Sequence, residues 1–170
     1  MRSDLYAKLF KQYQSSLQLY LYRMCGSQEI AEELVQETFY RAMVSMKTNH
    51  AAYARAWLYK VARHLFIDWY RKNRGELEMS RELEKQGVEN TYRTPEEMLA
   101  ARERSKLIQQ VMKMLPEQYR TVLLLRELNE LSYKELCEVL DMNMSQVKVT
   151  LFRARARFKE EMLQMKGENE

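Results

Sequence analysis

The chain has 170 residues, of which 46% are hydrophobic and 31% are charged, and its net charge is +4. This is enough apolar material for the packed core of one medium domain or two small ones. Four glycines and two prolines leave few residues for hairpin turns. No segment holds the roughly eighteen apolar residues of a membrane span, and the first residues lack a signal-peptide core. We therefore expect a helical, cytoplasmic protein.

Cysteine and histidine are too sparse to indicate a metal or catalytic centre. Cys25 and Cys137 stand apart in helix-like segments, which indicates reduced, buried thiols. His50 and His64 do not have a ligand-like spacing. The sequence also contains no glycine-rich phosphate loop and no evident pairing of a nucleophile with a base. We expect no cofactor and no metal, and an enzyme is the weakest functional hypothesis.

The first block of the chain predicts three amphipathic helices. Apolar residues recur every three or four positions from 5 to 24, Gly26 then breaks the pattern, and Ser27 can cap a second helix over about 28–46. A third helix is predicted to start near Ala52. The expected core faces hold Ile30, Leu34, Thr38 and Ala42 in the second helix, and Trp57, Leu58, Val61, Leu65 and Trp69 in the third.

The second block begins after a polar segment. Residues 75–93 show no core pattern and predict a flexible linker. The run Thr94–Glu97 then combines a Thr cap, a Pro at the first helical position and a Glu that can reach back. This predicts a fourth helix as far as about Met114. Pro116 opens a fifth, which should continue to about Glu127.

The end of the chain predicts a helix-turn-helix. Ser132 and Glu135 form another capping box, and a short helix follows. Asp141 lies in the turn, where glycine is usual, although Asp tolerates left-handed backbone well. Asn143 with Gln146 can cap the last helix. A short helix, a tight turn and a helix with a basic exposed face are typical of this DNA-binding motif.

The outer face of the last helix combines apolar and basic side chains. Val149 and Phe152 lie opposite the expected core side, with Arg153 beside them. An arginine suits a guanine edge and apolar carbons suit a thymine methyl, while flanking cations suit phosphates. The simpler interpretation is a solvated basic face on an ordinary helical bundle. The flanking cations are Lys148, Arg155 and Arg157.

Together these patterns predict an all-α protein made of two small helical domains. The N-terminal domain covers 1–74, the linker 75–93, and the helix-turn-helix domain 94–170.

Four segments resemble one known family. The stretch LSYKELCEVLDMNMSQVKVTLFRARARFK is similar to the helix-turn-helix with which extracytoplasmic-function (ECF) sigma factors bind the minus-thirty-five promoter element. The preceding LPEQYRTVLLLRELNELSYKE resembles the approach to that motif. AEELVQETFYRA and AWLYKVARHLFIDWYRK are similar to the family's polymerase-binding and minus-ten-binding helices. The resemblance implies a sigma factor that binds core RNA polymerase and directs it to promoters, as for a stress or envelope-response regulon, without catalysing a reaction.

The resemblance also implies roles for individual residues. The partners it implies are the β′ coiled coil and the β subunit of core polymerase, promoter DNA and an anti-sigma factor, and we expect a monomer when the chain is free. The outward arc of the second helix is expected to hold Glu32, Gln36 and Phe39. The candidate polymerase contacts are Glu33, Gln36, Glu37 and Phe39, and the candidate minus-thirty-five contacts are Ser145, Gln146, Lys148, Val149, Phe152, Arg153 and Arg155.

The third helix is the candidate minus-ten reader. Aromatic rings among cations suit single-stranded DNA, because bases stack on the rings while cations hold the backbone. Tyr59 is a further DNA candidate, whereas Phe66 and Trp69 are expected to be buried. ECF sigma factors usually have asparagine where this chain has a histidine, so the base preference here is open. The candidate minus-ten contacts are Trp57, Lys60, Arg63 and His64, of which Trp57 and His64 match the family's base pocket.

Two other functions fit parts of the sequence. A stand-alone repressor or activator could use the same helix-turn-helix, but it would normally dimerise, and no dimerisation segment is evident. A helical adaptor that binds only proteins is the second alternative.

Overall fold

The computed structural model describes residues 2–45, 53–73 and 94–168, and these residues form helices and short connections without a strand. The predicted linker, 75–93, and the predicted start of the third helix near Ala52 lie outside the described residues. Within the described ranges, no helix is both long and apolar enough to cross a membrane.

The N-terminal domain contains three helices. They are α1 (Arg2–Cys25), α2 (Gln28–Ser45) and α3 (Ala54–Lys72). Gly26, at φ 78°, ends α1 in the left-handed region where a Cβ would be strained. The Ser27 hydroxyl accepts a hydrogen bond from the Ile30 N–H at 3.3 Å and so caps α2, as predicted.

The C-terminal domain starts with α4 (Pro95–Met114) and α5 (Glu117–Leu123), and a π-helical turn (Leu124–Leu128) continues α5. The helix-turn-helix follows as α6 (Tyr133–Leu140) and α7 (Met144–Glu168). The sequence predicted one continuous α-helix to about Glu127, so the π-helical turn is a departure from the prediction.

The π-helical turn at the end of α5 places two consecutive leucines in the core. It buries both Leu124 and Leu125. Asn129 N–H donates to the Leu124 carbonyl at 3.2 Å, and Leu131 N–H donates to the Leu125 carbonyl at 3.0 Å. The turn therefore keeps these carbonyls satisfied while the chain leaves the helix.

Three helices of the C-terminal domain begin with a reciprocal cap. In each, the side chain of the N-cap residue accepts a hydrogen bond from the backbone N–H of the residue three positions later. The side chain of that later residue accepts a hydrogen bond from the backbone N–H of the N-cap residue. These contacts satisfy N–H groups that a helix start otherwise leaves unpaired. The pairs are Thr94 with Glu97, Ser132 with Glu135, and Asn143 with Gln146, and all three caps were predicted.

The two domains share one buried core. Tyr20 of α1 is almost completely buried, and its hydroxyl lies 3.0 Å from the Thr121 hydroxyl of α5. Its ring also packs edge-on against Tyr59 of α3, with centroids 5.8 Å apart. Burial raises the pKa of Tyr20, so the phenol stays neutral. The predicted all-α, two-domain fold is confirmed, and in this structure the domains are closed against each other.

Candidate nucleic-acid and polymerase interface

The turn between α6 and α7 fixes the direction of the last helix. Asp141 ends α6 in the left-handed region at φ 54°, and Met142 N–H donates to the Cys137 carbonyl at 3.1 Å. Asn143 and Gln146 then start α7. The helix-turn-helix predicted from the sequence is therefore formed by local hydrogen bonds.

The two sides of α7 differ as the sequence predicts. Phe152 is 74% exposed and Val149 is 46% exposed, although a phenylalanine is usually buried. Phe158 is only half-buried against the core. The buried residues of α7 are Val147, Thr150, Leu151, Ala154 and Glu161.

The polar candidates for the minus-thirty-five element lie on the exposed surface of α7 and differ in their partners. The Gln146 side-chain oxygen accepts from the Asn143 N–H at 2.9 Å, so it is held at the cap. The Arg155 guanidinium donates to the Glu127 carboxylate at 2.7 and 2.9 Å. The remaining polar candidates, all exposed, are Ser145, Lys148 and Arg153.

The exposed face of α2 contains three of the four predicted polymerase contacts. Glu33, Gln36 and Glu37 are exposed, and Glu37 accepts a hydrogen bond from Arg41 at 3.2 Å. A pair of this kind on a helix surface is weak, because water screens both charges. These carboxylates are therefore accessible to a partner.

The prediction that Phe39 lies on the outer face of α2 is wrong. Its side chain is 1% exposed, and its ring packs edge-on against Tyr6 and Phe10 of α1, with centroids 6.2 and 5.0 Å away. The reason is that α2 packs against both α1 and α3, so its buried stripe is wider than the predicted one. That stripe contains Ala31, Leu34, Val35, Thr38, Phe39 and Ala42.

Two exposed apolar side chains replace Phe39 on the outer face of α2. Tyr40 is 57% exposed and Met43 is 50% exposed. Together with Glu33 and Gln36 they follow the spacing of a single helix face. The sequence carries this signal, since non-core residues recur at 33, 36, 40 and 43, but the predicted outer arc ended at Phe39. We call these four residues the α2 face.

The minus-ten candidates on α3 differ in exposure, since some face solvent and others are buried. His64 is exposed and Trp57 is partly exposed. Tyr59 is 1% exposed, and its hydroxyl accepts from the Asn129 side-chain amide at 2.8 Å, so it cannot stack on a base in this arrangement. The expected burial of Phe66 is confirmed, whereas Trp69, also expected to be buried, is only partly buried.

Arg63 is held in an ion pair between the domains. It is 9% exposed, and it donates to the Glu117 carboxylate of α5 at 2.9 and 3.0 Å. Burial lowers the pKa of Arg63, but the hydrogen bonds and charge of Glu117 outweigh this effect and raise it overall. The guanidinium is therefore charged, paired and shielded from solvent.

Two further cations of α3 are paired with acids at the helix-turn-helix. Lys60 lies 3.0 Å from Asp141 and 3.6 Å from Glu138, and the hydrogen bond with Asp141 raises the pKa of Lys60. Arg55 Nε donates to Glu135 at 2.6 Å, and this contact lowers the pKa of the Glu135 carboxyl. The basic side of α3 thus faces acidic side chains of α5, α6 and the turn.

A separate apolar cavity of about 600 Å³ lies among α1, α4, the π-helical turn and α7. Its wall is formed largely by aliphatic and aromatic side chains, with arginines at its border. The lining includes Arg23, Arg104, Ile108, Met112, Leu124 and Phe158.

Other reactive groups are scattered in the described part of the chain. Cys25 is buried and Cys137 is half-buried, and neither forms a disulfide. The described residues contain no group of three or more His, Cys, Asp or Glu side chains placed to hold a metal ion.

Two family models match separate parts of the chain. Residues 9–76 match the family model for sigma-70 region 2, and residues 105–158 match that for sigma-70 region 4. The chain is 35% identical over 163 residues to RNA polymerase sigma factor YlaC of Bacillus subtilis (strain 168), covering 94% of this chain and 93% of the relative. It is 32% identical to ECF RNA polymerase sigma factor SigM of the same organism, covering 89% and 91%.

Solved structures share the fold at lower identity. CnrH in complex with the cytosolic domain of CnrY has a TM-score of 0.66 at 20% identity, covering 91% of this chain and 85% of that one. The sigma factor RpoE from Bartonella quintana, in complex with the anti-sigma factor NepR, has a TM-score of 0.69 at 19% identity, covering 92% and 95%. At these identities the likeness establishes the fold alone.

The fold defines a two-domain helical protein with a C-terminal helix-turn-helix. With the matches to sigma-70 regions 2 and 4 and to full-length relatives, the chain belongs to the ECF family of RNA polymerase sigma factors, which direct transcription initiation at promoters.

Proposed function

We propose that the chain binds core RNA polymerase and positions it on promoters through two DNA-binding surfaces, one on each domain. The observation that carries this proposal is the outer face of α7, where Phe152 is 74% exposed between basic side chains. A helix that displays an aromatic ring and cations to solvent suits the major groove, where both base edges and phosphates are contacted.

The test is run-off transcription with purified core polymerase and genomic fragments. Addition of the chain should produce transcripts from a defined subset of promoters, and core polymerase alone should not. If no fragment gives a chain-dependent transcript, the proposal is contradicted. The promoters recovered would also test the stress or envelope-response regulon that we propose for a cytoplasmic member of this family.

For polymerase binding, we propose the α2 face. Gln36 and Tyr40 supply an exposed amide and an aromatic ring at its centre, and the β′ coiled coil is the partner that the family relationship favours. Aromatic residues are enriched at protein interfaces because they bury a large area at low entropic cost. The β subunit would be contacted by other parts of the chain.

Alanine substitutions on α1 and α2 test this assignment. Gln36→Ala and Tyr40→Ala should each weaken binding to core polymerase by about 1–2 kcal/mol. Gln12→Ala, at an exposed position of α1, is the matched control and should leave the affinity for core polymerase unchanged. Native circular dichroism with unchanged affinity in both α2 variants would place the polymerase contact elsewhere.

For the minus-ten element, we propose that the exposed side of α3 binds the separated strand, with Trp57 and His64 near the unstacked base and Lys60 on the backbone. Stacking and cation contacts supply such binding without a deep groove. Arg63 is included in this surface as a backbone contact, although it is paired with Glu117 in the closed arrangement.

We also propose an anti-sigma factor as a partner, because two proteins of the same fold were solved in complexes, one with the anti-sigma factor NepR and one with the cytosolic domain of CnrY. The apolar cavity beside α4 suits an amphipathic helix with acidic flanks, since Arg23 and Arg104 lie at its border. Ile108→Glu should abolish inhibition of run-off transcription by a cognate partner. Leu163→Glu, on an exposed part of α7, should not.

A further inference from the structure

The wall of the apolar cavity contains an arginine that is incompletely paired. Arg23 of α1 is half-buried, and its Nε atom is shielded from solvent and has no hydrogen-bond partner among the described residues. Burial lowers the pKa of Arg23, but a guanidinium in a protein stays charged at neutral pH. The last turn of α1 favours this cation without giving it a counter-ion. A partly desolvated cation of this kind gains from an anion that enters the cavity.

The border of the cavity is basic. Arg104 of α4 is exposed there and forms no ion pair with any described residue. Arg155 also lies at the border, where it is paired with Glu127. Both side chains of that pair are 50% exposed, so water and salt screen it. The cavity therefore attracts an anion, and Arg23 and Arg104 are the cations available to hold it.

The interior of the cavity is apolar and reaches the core. Met112 and Leu124 are buried and line its inner side, whereas Ile108 and Leu128 are 39% and 51% exposed and line it nearer the surface. Covering such aliphatic surface is favourable, and each methylene group moved there from water should tighten binding roughly fourfold. The cavity thus combines a site for an aliphatic chain with a site for an anion.

The volume of the cavity distinguishes two kinds of occupant. About 600 Å³ lies within the range of small-molecule sites. A helix about 10–12 Å in diameter fills roughly 400–600 Å³ with each turn, so about one turn of a partner helix could enter. A single aliphatic chain with its head group is smaller in cross-section and can enter as a whole. The interior therefore suits a chain better than a helix.

We propose that the cavity binds a monomeric single-chain amphiphile with a carboxylate head, which pairs with Arg23 and Arg104. The aliphatic chain packs against Met112 and Leu124. A ligand in this position excludes the partner helix proposed above, so it would control access of an anti-sigma factor to the same site. That consequence rests on the proposed function, whereas the binding of the amphiphile does not.

The first test is isothermal titration calorimetry of the full chain with decanoate, at concentrations below micelle formation. One decanoate should bind per chain. Octanoate, which is two methylene groups shorter, should bind at least about tenfold more weakly. Decyltrimethylammonium has the same chain with a cationic head, and it should also bind at least about tenfold more weakly, because the arginines repel it.

Arginine variants test the head-group site. Arg23→Gln should weaken the binding of decanoate at least about fivefold, without weakening that of decyltrimethylammonium. Arg104→Gln should have a smaller effect of about twofold, because this side chain is exposed and water screens its charge. Arg102→Gln is the matched control, since it removes the same charge at an exposed position of α4 outside the cavity, and it should leave the affinity unchanged.

An exposed apolar position tests the chain site without risk to the fold. Ile108→Glu places an acid at the cavity and should weaken the binding of decanoate at least about tenfold. Leu163→Glu makes the same change on an exposed part of α7 outside the cavity and should not alter this affinity. Circular dichroism checks each variant, and the comparison of Ile108→Glu with Leu163→Glu decides the question if Arg23→Gln does not fold.

Several outcomes would overturn the inference. They are equal affinities of the wild type for decanoate and decyltrimethylammonium, more than one decanoate bound per chain, and equal affinities of Ile108→Glu and Leu163→Glu for decanoate. Co-sedimentation with vesicles of phosphatidylglycerol and phosphatidylcholine, without binding of decanoate, would instead indicate a lipid surface as the partner and would also overturn it.

Run-off transcription by the wild-type chain separates this inference from the proposed function. If the chain directs transcription but does not bind decanoate, the amphiphile site falls and the proposed function stands. If decanoate binds with the expected dependence on Arg23 and Ile108 but no fragment is transcribed, the site stands and the proposed function falls.

Discussion

The helices α3 and α7 carry similar surfaces, but the surface of α7 is exposed and the cations of α3 are paired with acids. Both combine cations with aromatic or aliphatic side chains, as a nucleic-acid-binding helix does. On α7, Lys148 and Arg153 are exposed and form no ion pair with any described residue. On α3, Lys60 and Arg63 are paired with acids of the other domain. A basic pattern therefore locates a surface, but the packing of the domains decides whether that surface is accessible.

The difference in accessibility between α7 and α3 also bears on the two proposed DNA contacts, one with duplex DNA and one with a separated strand. Under the proposed function, α7 is accessible to duplex DNA in the closed arrangement, because Phe152 and its neighbours face solvent. Single-stranded DNA would have to compete with carboxylates on α3. The order in which the two surfaces are used would then follow from the fold, with the duplex contact available before the contact to the separated strand.

The largest expected effect is on the central ion pair. Arg63→Ala should destabilise the chain by about 3–5 kcal/mol, because it leaves the Glu117 carboxylate without its partner in a partly buried site. Urea unfolding at neutral pH measures the loss. Lys60→Ala is the comparison, with an expected loss of about 0–1 kcal/mol, since its acidic partners are more than half exposed. Equal losses would show that the two pairs do not differ as their burial indicates.

The next effect contrasts two neighbours on α7. Leu151 is 2% exposed, and Leu151→Ala should cost about 2–5 kcal/mol through lost burial and a cavity. Phe152→Ala should change the free energy of unfolding by about 0.5 kcal/mol or less, because the ring faces solvent. Phe158→Ala should fall between the two, since Phe158 is half-buried. Thermal unfolding followed by circular dichroism ranks the three variants, and a large loss for Phe152→Ala would contradict the assigned orientation of α7.

The local features of this fold were predictable from the sequence. The caps formed by Thr94 with Glu97 and by Ser132 with Glu135 involve residues three positions apart, so their hydrogen bonds are encoded in short segments. The exposure of Phe152 was predictable in the same way, because the buried residues of α7 leave it on the opposite side. Although α4, α5 and α6 all contact α7, its buried residues form one narrow stripe, so periodicity was sufficient there.

The non-local features were not predictable by the same reasoning. Phe39 was placed on the wrong side because α2 has two neighbours, and periodicity alone does not give the width of a buried stripe. The pairing of Arg63 with Glu117 joins residues far apart in sequence, and no local pattern specifies it. The π-helical turn at Leu124 was missed because its residues also suit an α-helix.

An intermediate effect would sharpen the assignment of α7 as a duplex reader. Arg153→Ala should cost about 1–3 kcal/mol at the preferred minus-thirty-five sequence and relax the choice of base there. Lys148→Ala should instead weaken binding evenly across sequences and reduce the salt slope by about one unit. Competition binding with promoter variants at several salt concentrations distinguishes the two results. Unchanged base preference in Arg153→Ala would remove it from the readers.

The smallest expected effect concerns the one predicted minus-thirty-five cation on α7 that is paired with another element. Arg155 donates to Glu127, and both side chains are 50% exposed, so the pair should contribute only about 0.2–1 kcal/mol to stability. Glu127→Gln should therefore barely change unfolding. It should release Arg155 toward phosphate, strengthening duplex binding at low salt and steepening the salt slope by about one unit.

Glu160→Gln is the matched control for this last variant, because it makes the same charge change at an exposed position of α7. If Glu127→Gln and Glu160→Gln bind duplex DNA alike, the pair with Glu127 does not restrain Arg155. Ion pairs would then restrict the cations of α3 alone and leave those of α7 unaffected. If Glu127→Gln binds more tightly with a steeper salt slope, α7 is also held back, but by a surface pair that salt can weaken.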